Sequence, residues 1–438
     1  MRIKLKDNSE SDFLLKEKYP ESEKDIRFFA ETTLDKLAEK HGHNLIIFPP
    51  NLNDTELDKK DTILSLKDEK IKTSNYMGFV GRRETEIAIT SRFDSGENSY
   101  LLHYMLQRVY NVNMFDLKVS QNNHSVWDFL IYLFPHYLKK ALQQGLYKKY
   151  QRKHHNDSRV RGSIDVAQHL KHNIPFAGKI AYSTREYSCD NNLTQLVRHT
   201  IEHLRSHLLG GQNILRIDQE MTQCVAQIIA ATPTYNRNER MRIIATNLKP
   251  ERHPYFTEYT ILQKLCIQIL RREQINFGEN KNEDKVYGLL FDGAWLWEKY
   301  LGTLLQDLNY TISDNNKKTN RFSLFENGRG ESYPDFYIKN KSVLDAKYKW
   351  LGDKIKREDL HQIITYMHCL KAPKGGLIYP QKSNENTSHG KYGTLKGYAG
   401  DVYQFSIEIS SATDFQNYCR EMKENELSLI SQIKKSFS

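Results

Sequence analysis

The sequence predicts an α+β N-terminal region followed by an α/β C-terminal domain with a central mixed sheet flanked by helices. Three observations carry this expectation. Segments of helical and strand period interleave over the first 110 residues, helical spacing prevails between 126 and 231, and past Asn309 short strand-like runs alternate with helices. At 438 residues the chain also exceeds the roughly 250–300 at which a single hydrophobic core stops growing, so two or three domains are expected.

In residues 22–40, Ile26, Phe29, Leu34 and Leu37 recur near helical spacing; the apolar run Leu45, Ile46, Ile47, Phe48 then reads as a strand stopped by Pro49 and Pro50. A polar, charge-mixed stretch at 51–72 leads to residues 76–93, where Met77, Phe79 and Val80 precede Gly81, Arg82, Arg83 and the alternating Glu86, Ile87, Ala88, Ile89. This pattern is a hairpin with a basic turn. Helices follow at 99–110 and 126–150, the second carrying Trp127, Leu130, Leu133, Tyr137, Leu138, Ala141 and Leu142. Residues 151–161, with Arg152, Lys153, His154, His155, Arg159 and Arg161, read as the most basic loop of the chain, suited to phosphate or a protein partner. No cysteine or carboxylate stands at ligand spacing from its two histidines, which therefore read as solvated rather than metal-bound.

Helical patterns at 193–209 and 218–231 precede the clearest break, 247–255, with Pro250 and Pro254. The expected division is an N-terminal α+β domain at 1–120, a mainly helical linking domain at 121–250, and an α/β domain at 251–438. The last opens with a helix at 257–272, a charged loop at 279–285 and a second helix from near Asp292. Strands then follow at 321–325, 333–338 and 343–348, a helix at 358–370, strands at 376–379 and 402–409, and a closing helix from Asp414.

Composition narrows the function. Lys and Arg total 64 against 54 Asp and Glu, a net charge of +10 that tilts toward a polyanionic partner, although a lysine-rich soluble surface gives the same balance. The five cysteines, Cys189, Cys224, Cys266, Cys369 and Cys419, are odd in number and widely spaced, which argues against a disulfide framework or a zinc site. The polar N-terminus and the lack of any stretch near the roughly 18 apolar residues of a membrane span point to a cytoplasmic protein with no membrane partner.

Chemistry concentrates in Tyr333, Pro334, Asp335, Phe336, Tyr337, Ile338 and, after a short connection, Val343, Leu344, Asp345, Ala346, Lys347. Side chains alternate along a strand, so Asp345 and Lys347 share one face. Two carboxylates beside a lysine suit Mg²⁺, which is bound through one or two carboxylates plus substrate phosphate; Mn²⁺ could substitute. Lys347 would orient or help deprotonate the attacking water and stabilise charge on the phosphorus. Register decides whether Asp335 joins them. A two- or four-residue connection centred between Asn340 and Lys341 puts it on the wrong face, whereas three or five residues, or a bend at Pro334, correct it.

Pro334, Asp335 and Asp345, Ala346, Lys347 resemble the PD-(D/E)XK nuclease signature. The wider context, Val343 to Lys349 and Asp359 to Tyr366, with Gly145, Leu146, Tyr147, Tyr150, the run Arg161 to Asp165, and Asp190 to Leu193, resembles the McrC family over roughly residues 75–380. McrC proteins are the nuclease subunits of modified-cytosine restriction systems. The resemblance implies a restriction-endonuclease-like C-terminal domain and a Mg²⁺-dependent endonuclease acting on modified DNA. It also implies an oligomeric complex through a separate McrB-like AAA+ GTPase, since no G-x-x-x-x-G-K-[ST] phosphate loop occurs in the chain.

The same resemblance directs attention to Glu298, set among Ala294, Leu301 and Leu305 at helical spacing, either as a third metal ligand or in a helix-edge salt bridge. Gln362 and Tyr366, four apart on a face with Asp359, are expected to support the site and contact phosphate; a solvated polar face has the same spacing. The basic hairpin turn, Arg82 and Arg83, is the expected partner-docking element, against the plainer reading of an exposed hairpin. A stand-alone nuclease and a non-catalytic activator of a motor remain the alternatives.

Overall fold

The computed structural model describes residues 2–14, 18–41, 45–49, 61–96, 98–110, 128–207, 214–249, 251, 253–276, 286–313, 320–351, 354–382, 390–397 and 400–437. The expected charged loop at 279–285, residues 51–60 of the polar stretch, Trp127, Pro50 and Pro250 lie outside them. The chain forms two compact units, one made of Met1–Phe115 with Asn280–Ser438 and the other of Asp116–Glu279. The two ends of the chain thus share one unit.

The N-terminal part of the first unit contains β1 (Arg2–Lys6), β2 (Glu10–Leu14), α1 (Glu23–Glu31), α2 (Leu34–His41), β3 (Leu45–Phe48), β4 (Leu64–Lys67), β5 (Lys70–Thr73), β6 (Tyr76–Arg82), β7 (Thr85–Thr90) and α3 (Tyr100–Tyr110). The single helix expected over 22–40 is two. Thr32 is already extended and Thr33 bridges Thr62, as β-branched residues favour. Ile26, Phe29, Leu34 and Leu37 then bury against Ile3, Val80 and Ile87 of the sheet.

β6 and β7 do pair as a hairpin, from Gly78↔Ile89 to Arg82↔Thr85. They are nevertheless interior strands of a five-stranded sheet, in which β1 flanks β7 and the strand Val286–Asp292 flanks β6. The expected narrow, exposed strand pair is therefore corrected. Arg82 lies 3.1 Å from Asp25 Oδ1, with its guanidinium 4.0 Å over the Phe28 ring, and its side chain is 11% exposed. Arg83, at a turn position with φ 53°, lies 3.8 Å from the same carboxylate. Asp25 engages both members of the basic tip.

The second unit contains α4 (Asp128–Gln143), β8 (Lys149–Asp157), β9 (Ser163–Ile164), α5 (Val166–His172), β10 (Ile180–Ser188), α6 (Asn192–His207), α7 (Gln219–Ala231), α8 (Arg240–Thr246) and α9 (Glu258–Asn276). Much of the expected basic loop at 151–161 is strand. β8 pairs antiparallel with β10 from Lys149↔Ser188 to Asp157↔Ile180. Much of both faces of this ribbon meets solvent, so the sequence lacks the apolar alternation that betrays a half-buried strand. His155 is not a solvated loop residue, since it hydrogen-bonds Thr184 Oγ1 at 2.8 Å and stacks on Tyr182. Asp218 caps α7 by accepting from the Met221 backbone N–H.

The chain returns to the first unit with β11 (Val286–Asp292), α10 (Gly293–Leu305), β12 (Thr311–Ile312), β13 (Phe322–Ser323), β14 (Glu331–Ser332), β15 (Phe336–Ile338) and β16 (Ser342–Ala346). α11 (Arg357–Cys369), β17 (Lys374–Lys382), β18 (Gly390–Thr394), β19 (Asp401–Ile409) and α12 (Phe415–Phe437) complete it. Six strands form a mixed sheet in the order β12-β15-β16-β17-β19-β18, with β16, β17 and β19 parallel. The expected strand at 321–325 shrinks to β13, which among the described residues pairs only with β14. α11 packs Ile363, Tyr366 and Met367 against Val343, Leu377 and Val402. A Cβ on Gly375 would stand 2.4 Å from Met367 Sδ, so this glycine lets Met367 of α11 seat closely on the sheet. Among the described residues no helix is long and apolar enough to cross a membrane, and the five cysteines are unpaired.

Candidate active site

Three residues, Lys339, Asn340 and Lys341, connect β15 to β16, with Asn340 at φ 60° supplying the left-handed turn position. The register Phe336↔Leu344 then brings Asp335, just before β15, to the level of Asp345. Asp335 Oδ2 accepts the Ala346 backbone N–H at 2.6 Å, which ties it to the end of β16. The ladder runs one residue further, because Lys347 N–H donates to Ile378 O at 2.8 Å. Asp345 and Lys347 therefore emerge on the same face, as strand alternation requires.

Lys347 Nζ lies 2.7 Å from Asp345 Oδ2 and donates to Gln362 Oε1 at 2.8 Å. Gln362 Nε2 in turn donates to the Tyr366 hydroxyl at 2.8 Å. Asp345, Lys347, Gln362 and Tyr366 form one continuous chain of contacts from the sheet to α11. Asp359, one turn earlier on that helix, takes Lys349 Nζ at 2.7–2.8 Å and stands 3.8 Å from Lys347. Sequence spacing put Asp359 on this face but gave it no partner; Lys349, two residues beyond Lys347 in strand phase, was the available signal.

The electrostatics follow from burial. Burial, with the Glu298 and Asp345 charges added, raises the Asp335 carboxyl well above the ordinary carboxylate range. Burial alone would lower Lys347, but the Asp345 carboxylate outweighs it and holds the ammonium above the usual lysine value. Held in its charged form beside these carboxylates, the lysine offers the site a compact cation. Burial and Asp345 together raise the Tyr366 hydroxyl, so it remains a neutral hydrogen-bonding group.

Glu298 sits on α10, within electrostatic range of Asp335. The helix is fixed at its start and again past its middle. Asp292 caps it by accepting from Ala294 and Trp295, and Tyr300 donates to Glu426 Oε1 at 2.8 Å, where Tyr104 and Arg108 also bind. Trp297 is fully buried, whereas Trp295 stacks on Phe48 and Trp350 meets Phe93 edge to face; these rings are packing residues. Sequence reasoning missed the residues that hold the strand end after Lys347. The Arg92 guanidinium lies 4.6 Å over the Tyr348 ring, hydrogen-bonds Tyr348 O, and pairs with buried Asp7 at 2.9 Å. A Cβ on Gly293 would stand 2.5 Å from that ring.

Among the described residues no three His, Cys, Asp or Glu side chains stand close enough to form a ready metal cage. The donor set nonetheless fits a divalent cation, because carboxylates that raise one another's proton affinity are relieved by a shared positive charge.

Fold and site together define an α/β protein with an acidic pair and a buried lysine at the end of a mixed sheet. Residues 71–380 match the family of McrBC 5-methylcytosine restriction system components, and the chain belongs to that family. A search of curated proteins finds no match. Among solved structures, the chain is similar to one in a refined half-complex from a tetradecameric assembly of Thermococcus gammatolerans McrB AAA+ hexamers with bound McrC. The identity there is 16%, covering 97% of this chain and all of that one, with a TM-score of 0.49. A chain of the cryo-EM structure of the Thermococcus gammatolerans McrBC complex is 15% identical over 70% of this chain and 87% of that one, with a TM-score of 0.34. It is the family match that places the chain.

Proposed function

We propose that this chain is the McrC-like endonuclease subunit of a modification-dependent restriction system, hydrolysing DNA phosphodiester bonds in a PD-(D/E)XK-type centre. The observation that carries the reading is the convergence of Asp335, Asp345 and Lys347 at one strand end, with Lys347 held charged. Asp335 and Asp345, joined by Glu298 from α10, would hold Mg²⁺ or Mn²⁺. When bound, the ion supplies Lewis acidity and lowers the proton affinity of water. Lys347 stabilises the negative charge that develops on phosphorus, and Gln362 and Tyr366 keep its ammonium aimed.

The chain carries no phosphate loop, so movement along DNA falls to a partner, an AAA+ GTPase of McrB type, in an oligomeric complex in the cytoplasm. Arg82 and Arg83 would meet that partner on release from Asp25, which engages both. Calorimetric titration of the full chain with Mg²⁺ and Mn²⁺ tests the ligand set. Wild type should bind the metal with release of protons, and Asp335→Ala/Asp345→Ala should not. Equal binding by the double variant rules out these ligands.

A further inference from the structure

Two stretches set apart by the sequence, Tyr147 to Tyr150 and Asp190 to Leu193, play no part in the site above. In the second unit they meet. Asn191 Nδ2 donates to Tyr147 O at 2.9 Å, and Lys149, Tyr150, Arg152, Asn191, Leu193 and Glu251 are among the residues lining a cavity of about 260 Å³. Lys149 and Tyr147 both hydrogen-bond Glu251 there.

The ribbon beside this cavity has two unlike faces. On one, the charges have partners: Lys153 pairs with Glu186 at 2.9 Å, and Asp157 accepts from the Tyr182 hydroxyl at 3.0 Å. On the other, Tyr150 stands opposite Tyr187 and Arg152 opposite Arg185. The tyrosines are 59% and 53% exposed, with ring centroids 4.9 Å apart, and the Arg185 guanidinium lies 4.8 Å over the Tyr150 ring. Among the described residues neither guanidinium has a carboxylate partner; Arg152 donates only to Ser183 Oγ at 2.9 Å. Two large exposed rings interleaved with two uncompensated guanidiniums match a ligand with π-faces and regularly spaced anions.

We propose that this face binds a single strand of nucleic acid, the tyrosine rings receiving bases and Arg152 and Arg185 receiving backbone phosphates. The choice of DNA as that strand rests on the nuclease reading. Aromatic stacking is indifferent to base identity, so the contact would be sequence-independent. It would serve to hold a strand rather than to read it.

Fluorescence anisotropy of a fluorescein-labelled oligothymidylate, titrated with the full chain in the presence of a chelator, separates binding from hydrolysis. Tyr150→Ala/Tyr187→Ala should weaken binding about tenfold or more, while the Phe pair keeps wild-type affinity. Arg152→Gln/Arg185→Gln should flatten the salt dependence. Lys153→Gln, on the ribbon's other face, should bind as wild type. Failure of wild type to bind overturns the proposal, as does unchanged binding by the Ala pair when circular dichroism shows it folded. Unchanged DNA affinity together with lost stimulation of an AAA+ partner would instead make the face a protein contact, and also overturns it. Wild-type cleavage by Asp345→Ala would remove the nuclease reading and leave the binding result standing.

Discussion

The ammonium of Lys347 lies 2.7 Å from Asp345 Oδ2, at the end of a strand whose next residue, Tyr348, is clamped by Arg92 from the N-terminal sheet. A compact cation held this way can face developing negative charge without reorganisation. Lys347→Ala should therefore lower the DNA cleavage rate about 10²–10³-fold. Lys347→Arg should not restore it, because a planar fork does not fit the space of an ammonium between Asp345 and Gln362. Single-turnover cleavage assays measure both, and near-normal activity of the Arg variant would reduce Lys347 to a source of general positive charge.

Gln362 contacts the lysine and Tyr366 and is a positioning residue. Gln362→Ala removes a hydrogen bond to a charged group, a loss of about 1.5–3 kcal/mol, so kcat should fall about ten- to a hundredfold with KM little changed. A change confined to KM would assign Gln362 to substrate binding instead.

Asp94, 3% exposed, is raised from 3.8 to about 7 by burial, although it accepts the Leu101 N–H at 3.0 Å. A carboxyl raised on folding favours the native state while protonated, so its contribution is fully present below the unfolded value and is lost as pH rises toward about 7. Urea unfolding of wild type should show this decline between about pH 4 and 7. Asp94→Asn, which keeps the acceptor and stays neutral, should remove that part of the slope and be the more stable above it. Identical pH profiles would contradict the burial argument.

The convergence of Asp335 with Asp345 and Lys347 is legible in the sequence because it depends on local rules, strand alternation and the parity of a short connection. The environment of Arg82 is not. Whether a hairpin is exposed or interior depends on which strands flank it, and here β11 comes from beyond the whole second unit in sequence. The ribbon at 149–157 escapes notice for the opposite reason, since a strand with two solvated faces leaves no apolar period.

The Arg82–Asp25 pair, with side-chain exposures of 11% and 8%, carries its own expectation. Removing one member of a buried pair leaves the other uncompensated, so Arg82→Ala should destabilise the fold by about 3 kcal/mol in urea unfolding. A loss under about 1 kcal/mol would mean that the pair is solvated and its tip free to dock.

The most direct test is cleavage of a 5-methylcytosine-containing DNA by wild type and by Asp345→Ala, each with its AAA+ partner, in Mg²⁺ and in chelator. Wild type should cleave only with the metal, and the variant should lose cleavage by about 10³-fold or more while still stimulating the partner's nucleotide hydrolysis. Cleavage by Asp345→Ala at the wild-type rate would contradict the assignment of the active centre.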